Sequence, residues 1–221
     1  MKHTVITIGR EYGSGGHEIG ARLAKRLGIP FYDKELIDIA AEKTGCCENF
    51  VRSTDEKKPS VFARSATFSR GYAVSALSPE DNIFVQQSLI IRELAAKSSC
   101  VIVGRCADYV LQDEDYLVSV FVYAPLQDRI NRKKQLSEEE KTEAEIKKEI
   151  LAMDKRREKY YSFYTGSRWG DSRNYHICLD TAKVGIEHAV DVILNFVNQA
   201  DNCGILPDER AEKTDERSRL L

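Results

Sequence analysis

The chain has 221 residues, of which 42% are hydrophobic and 31% charged, and its formal net charge is −2. These values are typical of one globular domain with a sizeable core, and the nearly balanced charge argues against a nucleic-acid partner. No apolar run approaches the roughly 18 residues that a membrane helix needs, so we expect no membrane partner. The apolar part of the N-terminus is too short for a secretion signal, and the six cysteines lack the spacing of metal ligands. We therefore expect a cytoplasmic protein with reduced thiols.

The first part of the chain alternates between short apolar runs and amphipathic stretches. The pattern predicts a strand over residues 3–9, a helix over 17–28 and a second strand over 29–33. A second helix is predicted over 34–45, where a glycine ends it. Residues 46–80 have little periodicity but several aromatic side chains. We expect this stretch to cover a substrate, and a plain surface excursion is the alternative.

The same alternation continues to the end of the chain. Three more buried strands are predicted, at residues 100–104, 116–124 and 175–180. Four helices are predicted around them, at residues 82–98, 125–136, 137–161 and 182–200. Pro125 lies in the first turn of its helix, and Ser137 is the expected N-cap of the long charged helix. Residues 203–221 are predicted to form a flexible tail.

Five apolar strands that alternate with helices predict a doubly wound α/β domain, with ligands at the carboxyl ends of the strands. A glycine-rich stretch, GREYGSGGHE, lies between the first strand and the first helix. In that position, backbone N–H groups and the helix N-terminus can hold an anion without a side-chain charge. We interpret the stretch as a phosphate-binding loop, and a tight turn that packs helix against strand is the alternative.

The loop lacks the usual positive charge. It does not match G-x-x-x-x-G-K-[ST], because Gly16 stands at the lysine position, and it fits a dinucleotide fingerprint poorly. Arginines elsewhere are the candidate source of charge, because their planar fork gives bidentate contacts to phosphate. For any one of them a solvated surface position is the alternative. The candidates are Arg10, Arg105, Arg129, Arg132, Arg156, Arg157, Arg168 and Arg173.

Three segments occur in a distinctive order: ITIGREYGSGGHEIGARLAKRLGIPFYDKELI, VIVGRCADYVL and MDKRREKYYSFYTGSRWGDSRNYHICLDT. Together they resemble the cytidylate kinase-like family, a branch of the P-loop nucleoside monophosphate kinases, from about residue 5 to residue 197. The resemblance implies a three-layer α/β/α domain over 1–202 with a central five-stranded parallel sheet. It also implies a helical monophosphate-binding insertion near 46–80 and a lid near 129–173. The implied reaction is transfer of the γ-phosphoryl group of ATP to CMP or dCMP, with Mg²⁺.

The resemblance also implies roles for individual residues. The ATP-binding residues would be Arg10, Gly13, Ser14, Gly15, Gly16 and His17. The acceptor-binding residues would be Asp33, Arg105 and Asp108. The catalytic residues would be Arg129, Arg132, Asp154 and Arg157. Asp180 and Thr181 match the end of the fifth strand, beside the base of ATP.

Two departures from the family pattern bear on activity. Gly16 replaces the loop lysine, and His17 replaces the serine or threonine that binds Mg²⁺. We expect lid arginines, together with Arg10, to supply the missing charge, since phosphoryl transfer depends on positioning and charge neutralisation. The alternatives are a kinase of another small-molecule acceptor and a non-catalytic nucleotide-binding or sensor protein. The Mg²⁺ ligand and the oligomeric state are left open.

Overall fold

The computed structural model describes residues 3–33, 39, 79–137 and 140–202. Nearly all of the predicted helix at 34–45 and of the predicted covering region at 46–80 lies outside the described residues, as does the predicted tail. The described residues form one parallel sheet of five strands, so the predicted fold class is confirmed. Its strands are β1 (Val5–Arg10), β2 (Phe31–Tyr32), β3 (Cys100–Val103), β4 (Leu117–Tyr123) and β5 (Ile177–Asp180).

The strands lie in the order β2-β3-β1-β4-β5. The central strand β1 pairs with β3 on one side and β4 on the other, with Val5 opposite both Cys100 and Leu117. Because all pairs are parallel, the carboxyl ends of the strands meet at one edge of the sheet. The loops that follow β1, β2 and β3 are therefore neighbours in space, although residues 10, 33 and 105 are far apart in the chain.

Helices cover both faces of the sheet. Those of the described residues are α1 (Gly16–Leu27), α2 (Pro79–Lys97), α3 (Ala107–Val110), α4 (Leu126–Leu136), α5 (Glu143–Thr165), α6 (Thr181–Val184) and α7 (Ile186–Asn202). A 3₁₀ turn spans Ser172–Asn174. The sequence pattern missed the four-residue α3, and it merged α6 with α7, which Gly185 separates with a φ of 78°. Within the described ranges, no helix combines the length and apolarity required to cross a membrane.

Two apolar layers hold the helices to the sheet. On one face, Ile19 and Leu23 of α1 and Val190 and Ile193 of α7 are fully buried against the strands, as their helical spacing predicts. On the other face, α2 and α3 pack on β1 and β3, with Ile91 at the centre of that cluster. This sandwich fixes the positions of the loops at the carboxyl edge.

The long charged helix α5 begins later than predicted. Its N-cap is Thr142, whose hydroxyl accepts a hydrogen bond from the Glu145 N–H, while the Glu145 carboxylate accepts one from the Thr142 N–H. Ser137 lies instead at the C-cap of α4, where its N–H donates to the Lys133 carbonyl. The prediction for Ser137 was wrong because Ser137 and Thr142 both precede a glutamate by three residues, and the sequence alone does not rank two such capping patterns.

Candidate active site

The loop between β1 and α1 is compact and tightly enclosed. Gly13 and Gly15 have φ angles of 84° and 91°, in the left-handed region that favours glycine. A Cβ on Gly13 would lie 3.2–3.3 Å from Arg129 and Lys133 of α4, and a Cβ on Gly15 would lie 2.3 Å from Ile186. Helices α4 and α7 therefore approach the loop so closely that only glycine fits at these two positions.

Ser14 has a structural task in this loop. Its buried hydroxyl donates to the carbonyl of Glu11 at 2.8 Å and lies 3.1 Å from the carbonyl of Val122. Its own carbonyl accepts a hydrogen bond of 2.7 Å from the Thr181 hydroxyl. The Ser14 hydroxyl thus fixes the shape of the loop, and Thr181 joins the loop to the end of β5.

Side chains from α4 and α5 reach the loop backbone. The Asp154 carboxylate accepts a hydrogen bond of 2.7 Å from the Tyr12 N–H. The buried Arg129 guanidinium donates to Asp154 at 2.5 Å and to the Tyr12 carbonyl at 3.2 Å. Arg157 donates to the carbonyl of Arg10 at 3.2 Å. Three of the four predicted catalytic residues therefore contact the loop directly.

Of the remaining predicted arginines of this region, one lies beside Gly15 of the loop and three are exposed. Arg132, the fourth predicted catalytic residue, forms an ion pair with Glu18 of α1. Arg156 and Arg168 are exposed, and the exposed Arg173 pairs with a neighbouring aspartate. These three arginines do not line the pocket described next.

A pocket opens at the carboxyl ends of β1 and β3, next to the loop. Its charged residues are Arg10, Arg105, Asp108 and Arg157. Its aromatic residues are Tyr160, Tyr161, Trp169 and Tyr175. Three guanidinium groups from separate parts of the chain thus share one cavity with a carboxyl group and an aromatic wall. That combination suits an anionic ligand with a planar part.

The carboxyl group of this pocket is buried. Asp108 accepts a hydrogen bond of 2.6 Å from the Tyr161 hydroxyl. Burial raises the pKa of Asp108 to about 6, and the hydrogen bond from Tyr161 offsets part of that rise. Burial likewise raises the pKa of Tyr161 and of Tyr175. The pocket therefore contains one carboxyl group that titrates near neutrality, and both tyrosines remain protonated hydrogen-bond donors.

The backbone that carries Arg105 has an uncommon conformation. Gly104, Arg105 and Cys106 have consecutive φ angles of 81°, 60° and 53°. Left-handed non-glycine residues are uncommon and cost on the order of 1–3 kcal/mol each, and they cluster at ligand sites. Here the turn joins β3 to α3 and directs Arg105 into the pocket.

Asp33 lies between a guanidinium group and an imidazole. Its carboxylate is 3.8 Å from Nη2 of Arg10 and 3.3 Å from Nε2 of His17. His17 itself is largely exposed, with 64% of its side chain accessible, and its ring meets Phe31 edge-on. The site thus gathers Arg10, Asp33 and His17 at the ends of β1 and β2 and at the start of α1.

Sequence reasoning missed two residues of the loop itself. The Glu11 carboxylate lies 3.4 Å from Arg129 and accepts a hydrogen bond from the Ala124 N–H. Burial raises the pKa of Glu11, and the Arg129 charge opposes that rise. The Nζ atom of Lys133 lies over the Tyr12 ring, 4.7 Å from the ring centroid. The available sequence signal for these two residues was the presence of a carboxylate and an aromatic side chain inside a glycine-rich loop.

A second cavity of about 350 Å³ lies beside the first, under the segment that follows α5. Glu11, Tyr123 and Cys178 line it, and Trp169 separates it from the first pocket. Burial raises the pKa of the Cys178 thiol, so this thiol is kept protonated and unreactive.

Comparison with known proteins agrees with this architecture. The model of the cytidylate kinase-like family matches residues 5–183. The crystal structure of an uncharacterized protein from Eubacterium ventriosum is 31% identical over 88% of this chain and 98% of that chain, with a TM-score of 0.67. A shikimate kinase from Bacteroides thetaiotaomicron shares the fold at 13% identity, over 88% of this chain and 98% of that chain, with a TM-score of 0.52.

No curated protein matches the chain. The five-stranded parallel sheet, the loop between β1 and α1 and the family match together support a P-loop kinase fold with a nucleotide-binding loop. The chain belongs to the cytidylate kinase-like family.

Proposed function

We propose that the protein is a phosphotransferase that moves the γ-phosphoryl group of ATP to a nucleoside monophosphate, with CMP or dCMP as the acceptor. One observation carries this proposal: Arg10, Arg105 and Arg157 converge with the buried Asp108 in a pocket that adjoins the glycine loop. An alcohol acceptor would need few cations, whereas two phosphorylated substrates that meet in one site need several.

The loop fits the triphosphate of the donor. Gly13 and Gly15 give the loop its left-handed turns, and the N-terminal N–H groups of α1 begin at the end of this loop, where an anion can bind. Bound ATP with Mg²⁺ would supply the phosphoryl group. Among the described residues no cluster of three histidine, cysteine or carboxylate side chains forms a cation site. Oxygens of the nucleotide phosphates would be ligands of the ion.

The charged and aromatic lining of the pocket has the chemistry that recognition of a cytidine monophosphate requires. Arg105 and Arg157 can bind the acceptor phosphate in bidentate fashion, and the aromatic wall offers a face for a planar base. The Asp108 carboxylate can accept a hydrogen bond from the N4 amine of cytosine, as carboxylates do in base recognition. Uracil has a carbonyl oxygen at the equivalent position, which a carboxylate repels.

The residues of α4 and α5 would orient both substrates. Arg129 and Asp154 hold the loop backbone at Tyr12, and Arg157 holds it at Arg10. Tyr160 and Trp169 close the side of the pocket, where they would exclude water from the reacting phosphates. We infer that the lid, near 129–173, completes the binding site for both substrates.

The test is a coupled assay of ADP release with CMP, dCMP, UMP and AMP as acceptors. We expect the highest kcat/KM for CMP or dCMP. Asp108→Asn should narrow the preference for CMP over UMP by about tenfold, because an amide can present a donor to uracil where the carboxylate cannot. Arg92→Ala, which removes a half-exposed arginine on α2, is the matched control and should leave kcat/KM unchanged.

Two outcomes would contradict the proposal. Turnover of a non-nucleotide acceptor, with none of CMP or dCMP, would make the protein a kinase of another small molecule. Calorimetric binding of ATP without a phosphorylated product from any acceptor would make it a nucleotide-binding protein without transferase activity.

A further inference from the structure

The absence of a loop lysine has a structural counterpart at the end of β1. The Arg10 side chain crosses the first residue of α1, so that a Cβ on Gly16 would lie 2.6 Å from the Arg10 Cβ and 3.0 Å from its Cγ. Both atoms belong to the base of the side chain, close to the backbone, and cannot move aside easily. A side chain at position 16 therefore collides with the base of the side chain at position 10, and only glycine at one of the two positions avoids the collision.

The far end of Arg10 lies beside a second glycine, whose φ of 81° in itself favours glycine. A Cβ on Gly104 would lie 2.0 Å from Nη1 and 3.0 Å from Cζ of Arg10. The guanidinium group thus lies flat against the backbone at the end of β3, in the wall of the pocket and 3.8 Å from Asp33. Two glycines, 88 positions apart in the numbering, make room for one cation.

The lid arginines are less suited to replace the lysine. Arg129 is held by Asp154 at 2.5 Å and by Glu11 at 3.4 Å, and its side chain is only 7% exposed. Arg132 is paired with Glu18 of α1, and this ion pair holds its guanidinium group beside Gly15.

We propose that Arg10 is the cation of the phosphate loop, that its guanidinium group binds the transferring phosphoryl group in place of the missing lysine, and that Gly16 is a glycine because the base of the Arg10 side chain fills the space beside it. This inference rests on the proposed function. In the transfer, the bond from the γ-phosphorus to the bridging oxygen of ADP breaks and a bond to an acceptor phosphate oxygen forms. Arg10 makes and breaks no covalent bond and balances the charge of the phosphoryl oxygens.

An exchange of the two residues tests the proposal. Arg10→Gly removes the cation and should lower kcat with CMP by about 10²- to 10³-fold, as the loss of one transition-state donor does. Gly16→Lys alone should also lower kcat, because its side chain collides with Arg10. The double variant Arg10→Gly/Gly16→Lys removes the collision and returns a cation to the lysine position, so its kcat should exceed that of Arg10→Gly at least tenfold. A structural role of Arg10 would give no such recovery.

Calorimetry provides a readout that does not depend on turnover. Arg10→Gly should weaken ATP binding about tenfold and leave ADP binding unchanged, because only ATP carries the γ-phosphoryl group that Arg10 would bind. Arg92→Ala serves as the control for loss of one positive charge, and thermal unfolding verifies that each variant is folded. If all variants are folded, wild-type kcat in Arg10→Gly, or equal kcat in Arg10→Gly and the double variant, would overturn the proposal.

The same data separate this inference from the proposed function. Selective loss of ATP binding in Arg10→Gly, with no transfer to any acceptor by the wild-type protein, would support Arg10 as the phosphate ligand and refute the transferase activity. Transfer to CMP by the wild-type protein, with unchanged ATP binding and turnover in Arg10→Gly, would refute the role of Arg10 alone. Failure of the wild-type protein to bind ATP would refute both.

Discussion

The Asp108 carboxyl group is buried and accepts a hydrogen bond from Tyr161. Its ionisation should lower the free energy of unfolding. The unfolded carboxyl group has a pKa near 3.8, whereas burial raises the folded value to about 6. Between these two values the unfolded state releases its proton first, so stability falls as pH rises. The wild-type protein should therefore lose about 2 kcal/mol of unfolding free energy, relative to Asp108→Asn, between pH 4 and pH 7.

Urea denaturation of both proteins at intervals across that range measures this difference. The side-chain amide of the Asp108→Asn variant can still accept the hydrogen bond from Tyr161, so the comparison isolates ionisation from loss of the bond. A constant difference between the two proteins from pH 4 to pH 7 would show that Asp108 has an ordinary pKa.

At the scale of residues, the sequence predicted which charged residues belong to the candidate site better than it predicted which residues contact one another. The glycines and arginines of the site could be named because the family pattern fixes their order in the chain. The role of the Ser14 hydroxyl could not be predicted, since nothing local indicates that it donates to Glu11 and lies near Val122. The mutual exclusion of Arg10 and a side chain at Gly16 also required coordinates.

Hydrogen bonds at its N-terminus determine where helix α5 begins. The reciprocal hydrogen bonds between Thr142 and Glu145 satisfy N–H groups that the helix would otherwise leave open. Thr142→Ala should therefore lower the free energy of unfolding by about 1 kcal/mol. Thr142→Ser keeps a hydroxyl group at the same position and should retain most of the stability in the same denaturation experiment. Equal losses in both variants would contradict a capping role.

At the scale of elements, existence and order were predictable, whereas boundaries were not. Short continuous apolar runs located the five strands and helical periodicity located the long helices, because strands covered on both faces carry apolar residues on both sides. The start of α5 was misplaced by a competing capping pattern at Ser137. The four-residue α3 escaped notice because its start depends on left-handed residues, Arg105 and Cys106, that propensity does not anticipate.

Arg129 joins three parts of the whole molecule, since it lies on α4 and contacts Asp154 of α5 and Glu11 of the loop. Arg129→Met would leave two carboxylates close together without their cation. We expect a loss of about 3 kcal/mol in the free energy of unfolding, as for other buried ion pairs that lose one member. Arg129→Met/Asp154→Asn removes one of the stranded charges and should recover part of this loss.

Arg92→Met is the comparison for this experiment, because Arg92 is 52% exposed and its carboxylate partner is 3.7 Å away. Its loss should cost less than about 1 kcal/mol. If Arg129→Met were no more destabilising than Arg92→Met, the lid helices would be attached to the loop by apolar packing rather than by this ion pair. If Arg129→Met/Asp154→Asn recovered none of the lost free energy of unfolding, that result would also indicate apolar packing.

Trp169 is the single tryptophan of the chain, and it forms part of the wall of both cavities. Its indole ring meets the Phe121 ring edge-on, with centroids 5.5 Å apart, so it is fixed against the sheet. Intrinsic fluorescence excited at the indole band therefore comes from one known place, at the boundary between the two cavities. Ligand titrations can be followed from this emission without any attached dye, and each curve reports on that boundary alone.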